Sequence, residues 1–492
     1  MGTKQLSDLG LTGQGAENPA VTGLAVDSRD VRPGFLFAAL PGSRVHGGEF
    51  VEYALRQGAI AVLTDAQGAA LARDALAQHP ATLILAEDPR GALAAAAALW
   101  FGMQPQKMVA VTGTNGKTSV ASFARQLWSI LGEEAINLGT TGVEGAFTAP
   151  LGHTTPEPIT LHRALADAAK AGVTHGAMEA SSHGLEQRRL DGVLLCAAAF
   201  TNFTQDHLDY HGTFEAYFEA KARLFHAVLP EDGTAIINID DPRGSDMRAI
   251  AEARGHQIMT VGRYREADYR LTAQRFDATG QDIRVTLGGA SFTARLPLIG
   301  GFQAENVLVA AALVISAGAS MRDVFQAMPA LKTVRGRMEH AATRANGATI
   351  FVDYAHTPDA VSTALKAVRP HVLGRLLAIV GAGGDRDPTK RAAMGRAAAQ
   401  NADIVFVTDD NPRSEDPALI RRAVLEGCPE ATEVGDRAEA ILRAVDALGA
   451  GDTLLILGKG HETGQIVGDA VLPFDDVEQA SIAVAALEGG LA

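Results

Sequence analysis

The chain has 492 residues, 47% of them hydrophobic and 20% charged, which excludes a disordered chain and leaves room for about three domains at about 150 residues each. Its 43 basic and 57 acidic residues give a net charge of −14. That argues against a protein that coats nucleic acid, because neutralising phosphates needs clustered Lys and Arg.

Cys196 and Cys428 are far apart with no C-x-x-C, so neither a disulfide framework nor a zinc site is expected. Few cysteines fit a reducing compartment. The opening MGTKQLSDLG lacks the apolar core of a signal peptide. The longest apolar stretches, 91–103 and 307–316, are too short to span a bilayer. A soluble, cytoplasmic protein is the expectation, without membrane insertion.

In chain order, apolar runs at 60–63 and 83–85 lie between helical patterns. A first joint is expected at Asp88-Pro89-Arg90, before an Ala-rich helical run that reaches Trp100. The run 108–112 reads as a strand that feeds a glycine turn and a helix. A helical stretch at 304–317 precedes a second joint near Arg335-Gly336-Arg337. Beyond it, 350–352, 377–380, 404–407 and 454–457 are apolar runs without polar alternation, separated by helical patterns at 390–400 and 437–448. Such runs suit parallel strands buried on both faces. The order is βαβ, so the fold class is α/β, with expected units 1–90, 91–334 and 335–492.

The strongest local signal is Val111-Thr112-Gly113-Thr114-Asn115-Gly116-Lys117-Thr118-Ser119. Backbone N–H groups of such a turn converge on an anion, and the helix N-terminus adds its positive end. Lys117 is expected on the β- and γ-phosphates, and Thr118 offers a hydroxyl to Mg²⁺. The position five before Gly116 is Val111, so the match is to a shorter G-x-x-G-K-T form.

Glu179, at the end of an apolar run and followed by Ala180-Ser181-Ser182-His183, can hold Mg²⁺ or cap a helix. The segment 201–212, T-N-F-T-Q-D-H-L-D-Y-H-G, is dense in polar ligands but lacks the soft third ligand of a zinc site. Next, Phe214, Tyr217, Phe218, Leu224 and Phe225 form an apolar stripe at helical spacing, and Lys221 falls on it. By position alone Lys221 snorkels its stem along the stripe. The other reading is a buried, neutral amine able to add CO₂ and become a carbamate. Asn306 can meet an adenine edge or sit at a helix start. In the last part, 383–387 (G-G-D-R-D), 409–413 (D-D-N-P-R) and 458–462 (G-K-G-H-E) each follow a buried run. Loops at the carboxyl ends of parallel strands bind ligands. Two arginines with Asp, Asn and Glu suit a zwitterionic amino acid.

The loop T-G-T-N-G-K-T-S resembles the ATP loop of the Mur ligase family, which forms amide bonds in peptidoglycan or folate synthesis. The resemblance runs in order from Asp27 to Glu462. It implies a three-domain architecture: a UDP-binding α/β domain, a central P-loop ATPase-like parallel-sheet domain and a C-terminal Rossmann-like domain. It implies that ATP meets Gly113, Thr114, Asn115, Gly116, Lys117, Thr118, Ser119, Asn306, Arg337, Asp353 and His356. Catalysis falls to Lys117, Glu179, His207 and Lys221, with Mg²⁺ held by Thr118, Glu179, His207 and a CO₂-derived carbamate on Lys221. Val26, Ser28, Ser43, Arg44, Val45, Thr154, Thr155, Ser181, Gln187 and Arg189 match positions for a UDP-N-acetylmuramoyl dipeptide. The D-N-P-R tetrapeptide resembles the branch that adds meso-diaminopimelate to UDP-N-acetylmuramoyl-L-alanyl-D-glutamate. There Arg386, Asp410, Asn411, Pro412, Arg413, Gly458 and Glu462 match the amino-acid positions, with Arg413 on the far carboxylate. The expected reaction activates the D-Glu γ-carboxylate as an acyl phosphate, by a monomer whose last unit closes on a hinge at 333–337. Rival readings are the lysine-adding branch, a folylpolyglutamate-type ligase and a nucleotide-binding switch without catalysis.

Overall fold

The computed structural model describes residues 2–42 and 45–489. Three main sheets carry the fold, and the apolar runs of the sequence supply their inner strands.

The first sheet is parallel, in the order Gly23–Ala25, Phe35–Ala38, Ala61–Thr64, Thr82–Leu85. The helix Pro89–Phe101 follows. Asp88 caps it by accepting from the Gly91 N–H at 3.1 Å, and Pro89 opens it where no N–H is needed. Leu93, Ala96, Ala97 and Trp100 of this helix share a core with Leu36, Ala61 and Leu63. The expected joint at residue 90 therefore severs a helix from the sheet it covers. We place the end of the first unit at Gly102, whose φ of +69° closes the helix in the left-handed region.

The second sheet has ten strands. Lys107–Thr112 lies between His175–Glu179 and Leu195–Phe200, parallel to both. Chain order reverses there, which opens a crevice at the carboxyl ends of these strands. On one face Val120, Phe123 and Leu127 of helix Lys117–Ile130 pack with Val307 and Leu308 of helix Gln303–Ser316. On the other face Leu161 and Leu165 of helix Pro158–Lys170 join Tyr217, Phe218 and Phe225.

The third sheet runs Glu339–Thr343, Thr349–Asp353, Thr453–Leu457, Leu376–Val380, Ile404–Val407, Thr432–Glu433. All of its pairs are parallel except the first. The four apolar runs of this unit are its inner strands, and the helices Arg391–Asn401 and Arg437–Asp446 match the helical patterns.

The second and third units are joined by a short span. Lys332 is tied to the second unit: its N–H donates to Gln126 Oε1 at 2.8 Å and its carbonyl accepts from Gln126 Nε2 at 3.1 Å. Gly336 is tied to the third: its N–H donates to Glu339 Oε2 at 2.6 Å and its carbonyl accepts from the Tyr354 N–H at 3.0 Å. Residues 333–335 lie between the two anchors, with Val334 packed in the core of the second unit and Arg335 donating to Asp475 of the third at 3.0 Å. His371 of the third unit docks on the second, accepting the Gly300 N–H at Nε2 (3.1 Å) and donating from Nδ1 to the Asp277 carbonyl (2.7 Å). Because both partners are backbone groups of fixed polarity, the imidazole is held neutral with its proton on Nδ1. Among the described residues no helix is long and apolar enough to cross a membrane.

One buried ion pair ties the third unit together. Arg437 donates to both oxygens of Asp476 at 2.7 Å and to the Leu457 carbonyl at 3.0 Å, with both side chains fully buried. Asp476→Ala would leave an uncompensated buried guanidinium and is expected to cost about 3–5 kcal/mol. Urea unfolding followed in the third unit measures it. A loss under about 1 kcal/mol would mean that water or another acid replaces the partner.

Candidate active site

The loop after Lys107–Thr112 is shaped by the end of the neighbouring strand. The Thr114 N–H donates to the Asn202 carbonyl at 2.9 Å, and the Asn115 N–H to Asn202 Oδ1 at 2.8 Å. Thr201 Oγ1 donates to the Asn115 carbonyl at 2.6 Å. Gly113 (φ +148°) and Gly116 (φ +87°) make the turn, and a Cβ there would stand 1.9 Å from Thr201 Oγ1 and 2.6 Å from Asn306 Oδ1. Only glycine fits both positions. Helix Lys117–Ile130 begins with no side-chain cap, so its first N–H groups face the crevice and suit an anion. Asn306 backs this loop, with its Nδ2 donating to Gln303 Oε1 at 3.0 Å.

Two lysines meet at one oxygen. Lys117 Nζ and Lys221 Nζ both donate to the Gly113 carbonyl, at 2.8 and 2.9 Å. Lys221 is 1% exposed and lies 4.4 Å from the centre of the Tyr217 ring, so it does not snorkel. Burial, followed by the charge of Lys117, drives its pKa well below the usual lysine value. Burial lowers Lys117 too, while Glu179 and Asp206 pull the other way. A carbamate fits Lys221: the amine is driven neutral, and an anion there would relieve the repulsion that two ammoniums create.

Glu179 is buried at the end of its strand. Its Oε1 accepts the Thr140 N–H at 2.9 Å and its Oε2 the Thr118 hydroxyl at 3.1 Å. The strand between this pair and Asn202 carries the phosphate loop, so an oxygen-rich rim surrounds the anion site. Among the described residues no three His, Cys, Asp or Glu side chains form a metal cluster. A hydroxyl beside a carboxylate fits Mg²⁺, which keeps waters and takes nucleotide oxygens for the rest. His207, at a left-handed φ of 53°, has a side chain 46% exposed; its Nε2 stands 3.4 Å from Asp206 Oδ2 and its ring 4.9 Å from that of His183. Burial opposes ionisation of Asp206, yet His207, His356 and Lys117 hold its carboxyl below the ordinary range.

The residues matched to the dipeptide in the second unit are tied to one another and to Glu179. Thr154 Oγ1 lies 3.1 Å from Thr140 Oγ1, and Thr155 Oγ1 donates to the Glu179 carbonyl at 2.9 Å. Ser181 caps the next helix through the Gly184 N–H and donates to Thr155 Oγ1 at 3.1 Å. Arg189 donates to the Thr155 carbonyl at 2.6 Å and to Gln187 Oε1 at 2.8 Å. Burial and then the charge of Arg90 lower the Arg189 pKa. Arg90 itself holds the Pro41 carbonyl. Val26 and Ser28 are half-buried, and Val45 is exposed. Ser43 and Arg44 lie outside the described residues.

The third unit reaches in from the far side. Arg337 Nη2 donates to Thr118 Oγ1 at 3.3 Å while its guanidinium covers the Tyr354 ring at 4.6 Å. Asp353 accepts the Met338 and Ala355 N–H groups at 2.8 and 2.9 Å, one on each oxygen, and so braces the turn that carries Arg337. His356 is pinned through Nδ1 to the Tyr354 carbonyl at 2.8 Å, and burial lowers its pKa. Beyond them Asp410 and Asn411 are buried, while Arg386 is exposed. Asn411 Nδ2 donates to Glu462 Oε2 at 2.9 Å. Arg413, left-handed at φ 51°, donates from Nη1 to the Gly384 carbonyl at 2.8 Å. Pro412 shapes this loop, and a Cβ on Gly458 would stand 2.5 Å from Asp410 Oδ2. The three loops thus converge as the sequence suggests. Sequence reasoning gave no role to Asn202, Asp206, Arg90 and Lys459. Lys459 had a signal, its place directly after a buried strand, and Asn202 and Asp206 lay in the polar segment 201–212; Arg90 had none.

Comparisons with known proteins agree with this geometry. Residues 111–314 match the Mur ligase middle domain, 336–460 the Mur ligase glutamate ligase domain, and 20–100 the Mur ligase family catalytic domain. The UDP-N-acetylmuramoyl-L-alanyl-D-glutamate–2,6-diaminopimelate ligase of Zymomonas mobilis is 48% identical over 97% of each chain. Its counterpart from Caulobacter vibrioides is 48% identical over 99% of each. A solved structure of a ligase of that name, 34% identical, aligns over 99% of this chain and 100% of its own with a TM-score of 0.73. Mycobacterium tuberculosis folylpolyglutamate synthase complexed with ADP, at 19% identity, covers 80% of this chain and 94% of its own with a TM-score of 0.64, a likeness of fold.

Replacing Lys221 by Met keeps the stem and removes the charge beside Lys117. The melting midpoint is expected to stay level or rise, since a buried polar amine beside Lys117 gives way to an apolar group of similar volume. A fall of more than about 5 °C in thermal denaturation would show instead that the Gly113 contact holds the fold.

Proposed function

The chain belongs to the Mur ligase family, and we propose that it is an ATP-dependent ligase that adds meso-diaminopimelate to the D-Glu γ-carboxylate of UDP-N-acetylmuramoyl-L-alanyl-D-glutamate, a step of peptidoglycan synthesis. The observation that carries the reading is the third-unit rim, where Asp410, Asn411, Arg413 and Glu462 stand together at the carboxyl ends of parallel strands.

The loop 113–119 cradles the ATP phosphates, with Lys117 and the N-terminus of helix Lys117–Ile130 offsetting their charge. Arg337 approaches from the third unit, beside Thr118, and His356 lines the same gap. Thr118, Glu179 and His207 would hold Mg²⁺, which supplies charge neutralisation at the phosphoryl group. Lys221, as its carbamate, would place an anion beneath them. Arg189 and the threonines 154 and 155 orient the acceptor so that its γ-carboxylate attacks the terminal phosphorus. ADP leaves and an acyl phosphate remains. The amine of diaminopimelate then attacks the acyl carbon and phosphate departs. No side chain serves as nucleophile; the work is positioning and electrostatics. Arg413 takes the distant carboxylate, while Asp410 and Glu462 take the ammonium beside it. All these residues lie in one chain, so a monomer suffices, and ATP and the nucleotide substrate suit a cytoplasmic setting.

The phosphate loop belongs to the second unit and the amine rim to the third. We take 333–335 as the hinge, because the anchors at Lys332 and Gly336 bracket it. Small-angle scattering should record compaction with a non-hydrolysable ATP analogue and the UDP-muramoyl dipeptide. No change in radius of gyration would remove the hinge.

Phosphate release from ATP with the UDP-muramoyl dipeptide tests the reaction itself. It is expected with meso-diaminopimelate, and L-lysine should be poorer by roughly 10⁴-fold in kcat/KM, because lysine leaves Arg413 unpaired. Equal rates with lysine would sink the role of Arg413, and no release with either would sink the ligase.

A further inference from the structure

The amine rim contains a lysine that no role above uses. Lys459, in the turn between Gly458 and Glu462, is fully buried. Its Nζ donates to Asn411 Oδ1 at 3.2 Å, to Glu462 Oε2 at 3.2 Å and to the Gly464 carbonyl at 2.5 Å. Those three bonds use every donor of an ammonium. The partners belong to three pieces of chain: the D-N-P-R loop, the turn itself, and the strand Gly464–Val467, which pairs with Ala470–Pro473.

The bonds also settle which way Asn411 faces. Its Oδ1 receives Lys459 Nζ and the Ile466 N–H, the latter at 2.9 Å, while its Nδ2 donates to Glu462 Oε2 at 2.9 Å. A flipped amide would set its NH₂ against an ammonium and a backbone N–H, and its oxygen against a carboxylate. Lys459 thereby forbids the flip. Glu462 Oε2 is taken twice, by Lys459 and Asn411, whereas Oε1 accepts no hydrogen bond from the described residues. The carboxylate oxygens of the buried Asp410 accept none either, although its carbonyl accepts from Gln465 at 2.7 Å. Two acidic acceptors are thus presented with open valences, and one of them is aimed by the lysine behind it.

On the ligase reading above, we infer that Lys459 is the positioning residue of the amine pocket: without touching the amino acid, it locks Asn411 and Glu462 so that Glu462 Oε1 meets the incoming ammonium. A lysine here costs desolvation, and that cost is met because its bonds satisfy three groups at once. An apolar residue of the same length would fill the space equally well. It would leave Glu462 without its cation and Asn411 Oδ1 with the Ile466 N–H alone.

The test is steady-state kinetics of full-length Lys459→Met with all three substrates varied. KM for meso-diaminopimelate should rise by about tenfold or more, while KM for ATP and for the UDP-muramoyl dipeptide stays within about twofold of wild type. Lys459→Gln keeps a donor but not the charge. It should hold the melting midpoint near wild type and still leave KM for diaminopimelate raised. An unchanged diaminopimelate KM in both variants, with wild type active, overturns the positioning role and spares the ligase. So does a parallel rise of all three KM values together with a lowered melting midpoint, or failure of both variants to fold, since either marks a lysine of the fold. Wild type that releases no phosphate with diaminopimelate overturns both readings together.

Discussion

Two ammonium groups sharing the carbonyl of Gly113 is the constraint on which the rest of the site depends. A single carbonyl cannot stabilise two buried cations, because at low dielectric their repulsion exceeds what its dipole returns. The structure resolves this by driving Lys221 toward its neutral form, through burial and through Lys117. Lys117 keeps Glu179 and Asp206 within electrostatic reach and so stays the better cation. The asymmetry divides the work. Lys117 stays the charge of the loop, bonded to the Gly113 and Thr114 carbonyls, and Lys221 lies behind it as a buried amine. The loop can offer its carbonyl inward only because Gly113 adopts φ +148° with Thr201 pressed against it. The turn, the lysines and the neighbouring strand end therefore form one electrostatic unit.

That unit sits where it does because of sheet topology. Lys107–Thr112 is flanked by strands that come later in the chain on both sides, so the carboxyl ends of three strands deliver Glu179, the loop and Asn202 to one crevice. The first and third units then supply what a phosphate site lacks. The helix Pro89–Phe101, packed on the first sheet, brings Arg90 toward Arg189. The turn braced by Asp353 brings Arg337 to Thr118. Chemistry between a nucleotide and an amine in different units needs a joint, and the chain narrows to a few residues between Lys332 and Gly336.

The sequence shows much of this, for physical reasons. Buried parallel strands need unbroken apolar runs, and those runs were visible. A phosphate loop needs glycines before Lys-Thr at fixed spacing, and that too was visible. The limit of the first unit was not, because the Ala-rich helix after Pro89 buries small side chains that give little contrast between its faces. Position alone put Lys221 at the surface, since snorkelling is the usual fate of a lysine on an apolar stripe; only its burial against the Tyr217 ring shows otherwise. Asn306 read as a contact for adenine or a residue at a helix start; it lies in the first turn of its helix and backs Gly116, a contact that local sequence does not encode. Asp353 also braces the turn of Arg337 through two N–H groups, a role that local sequence does not show. Lys459 was hidden by its neighbours in the G-K-G-H-E turn, whose glutamate carried the resemblance.

Backbone strain marks the same places from an independent direction. Among the described residues five that are not glycine have positive φ: Arg188, His207, Met338, Asp385 and Arg413. Each such residue costs about 1 kcal/mol or more and persists only where its surroundings over-determine it. Arg188 lies between Gln187 and Arg189, and His207 beside Asp206. Met338 follows Arg337, Asp385 precedes Arg386, and Arg413 belongs to the amine rim itself. The restraints are explicit. Met338 donates its N–H to Asp353, Asp385 donates its own to Glu415 and accepts from Ser414, and Arg413 is bonded through N–H and carbonyl to Ile466 and Gly468. A relaxed β or α conformation at any of them would re-aim the adjacent charged side chain. The strain is therefore confined to loops at the ends of the sheets, and the hydrogen bonds that hold it, those of Asp353 and of the hairpin anchored by Lys459 among them, fix the direction of the neighbouring charged side chains.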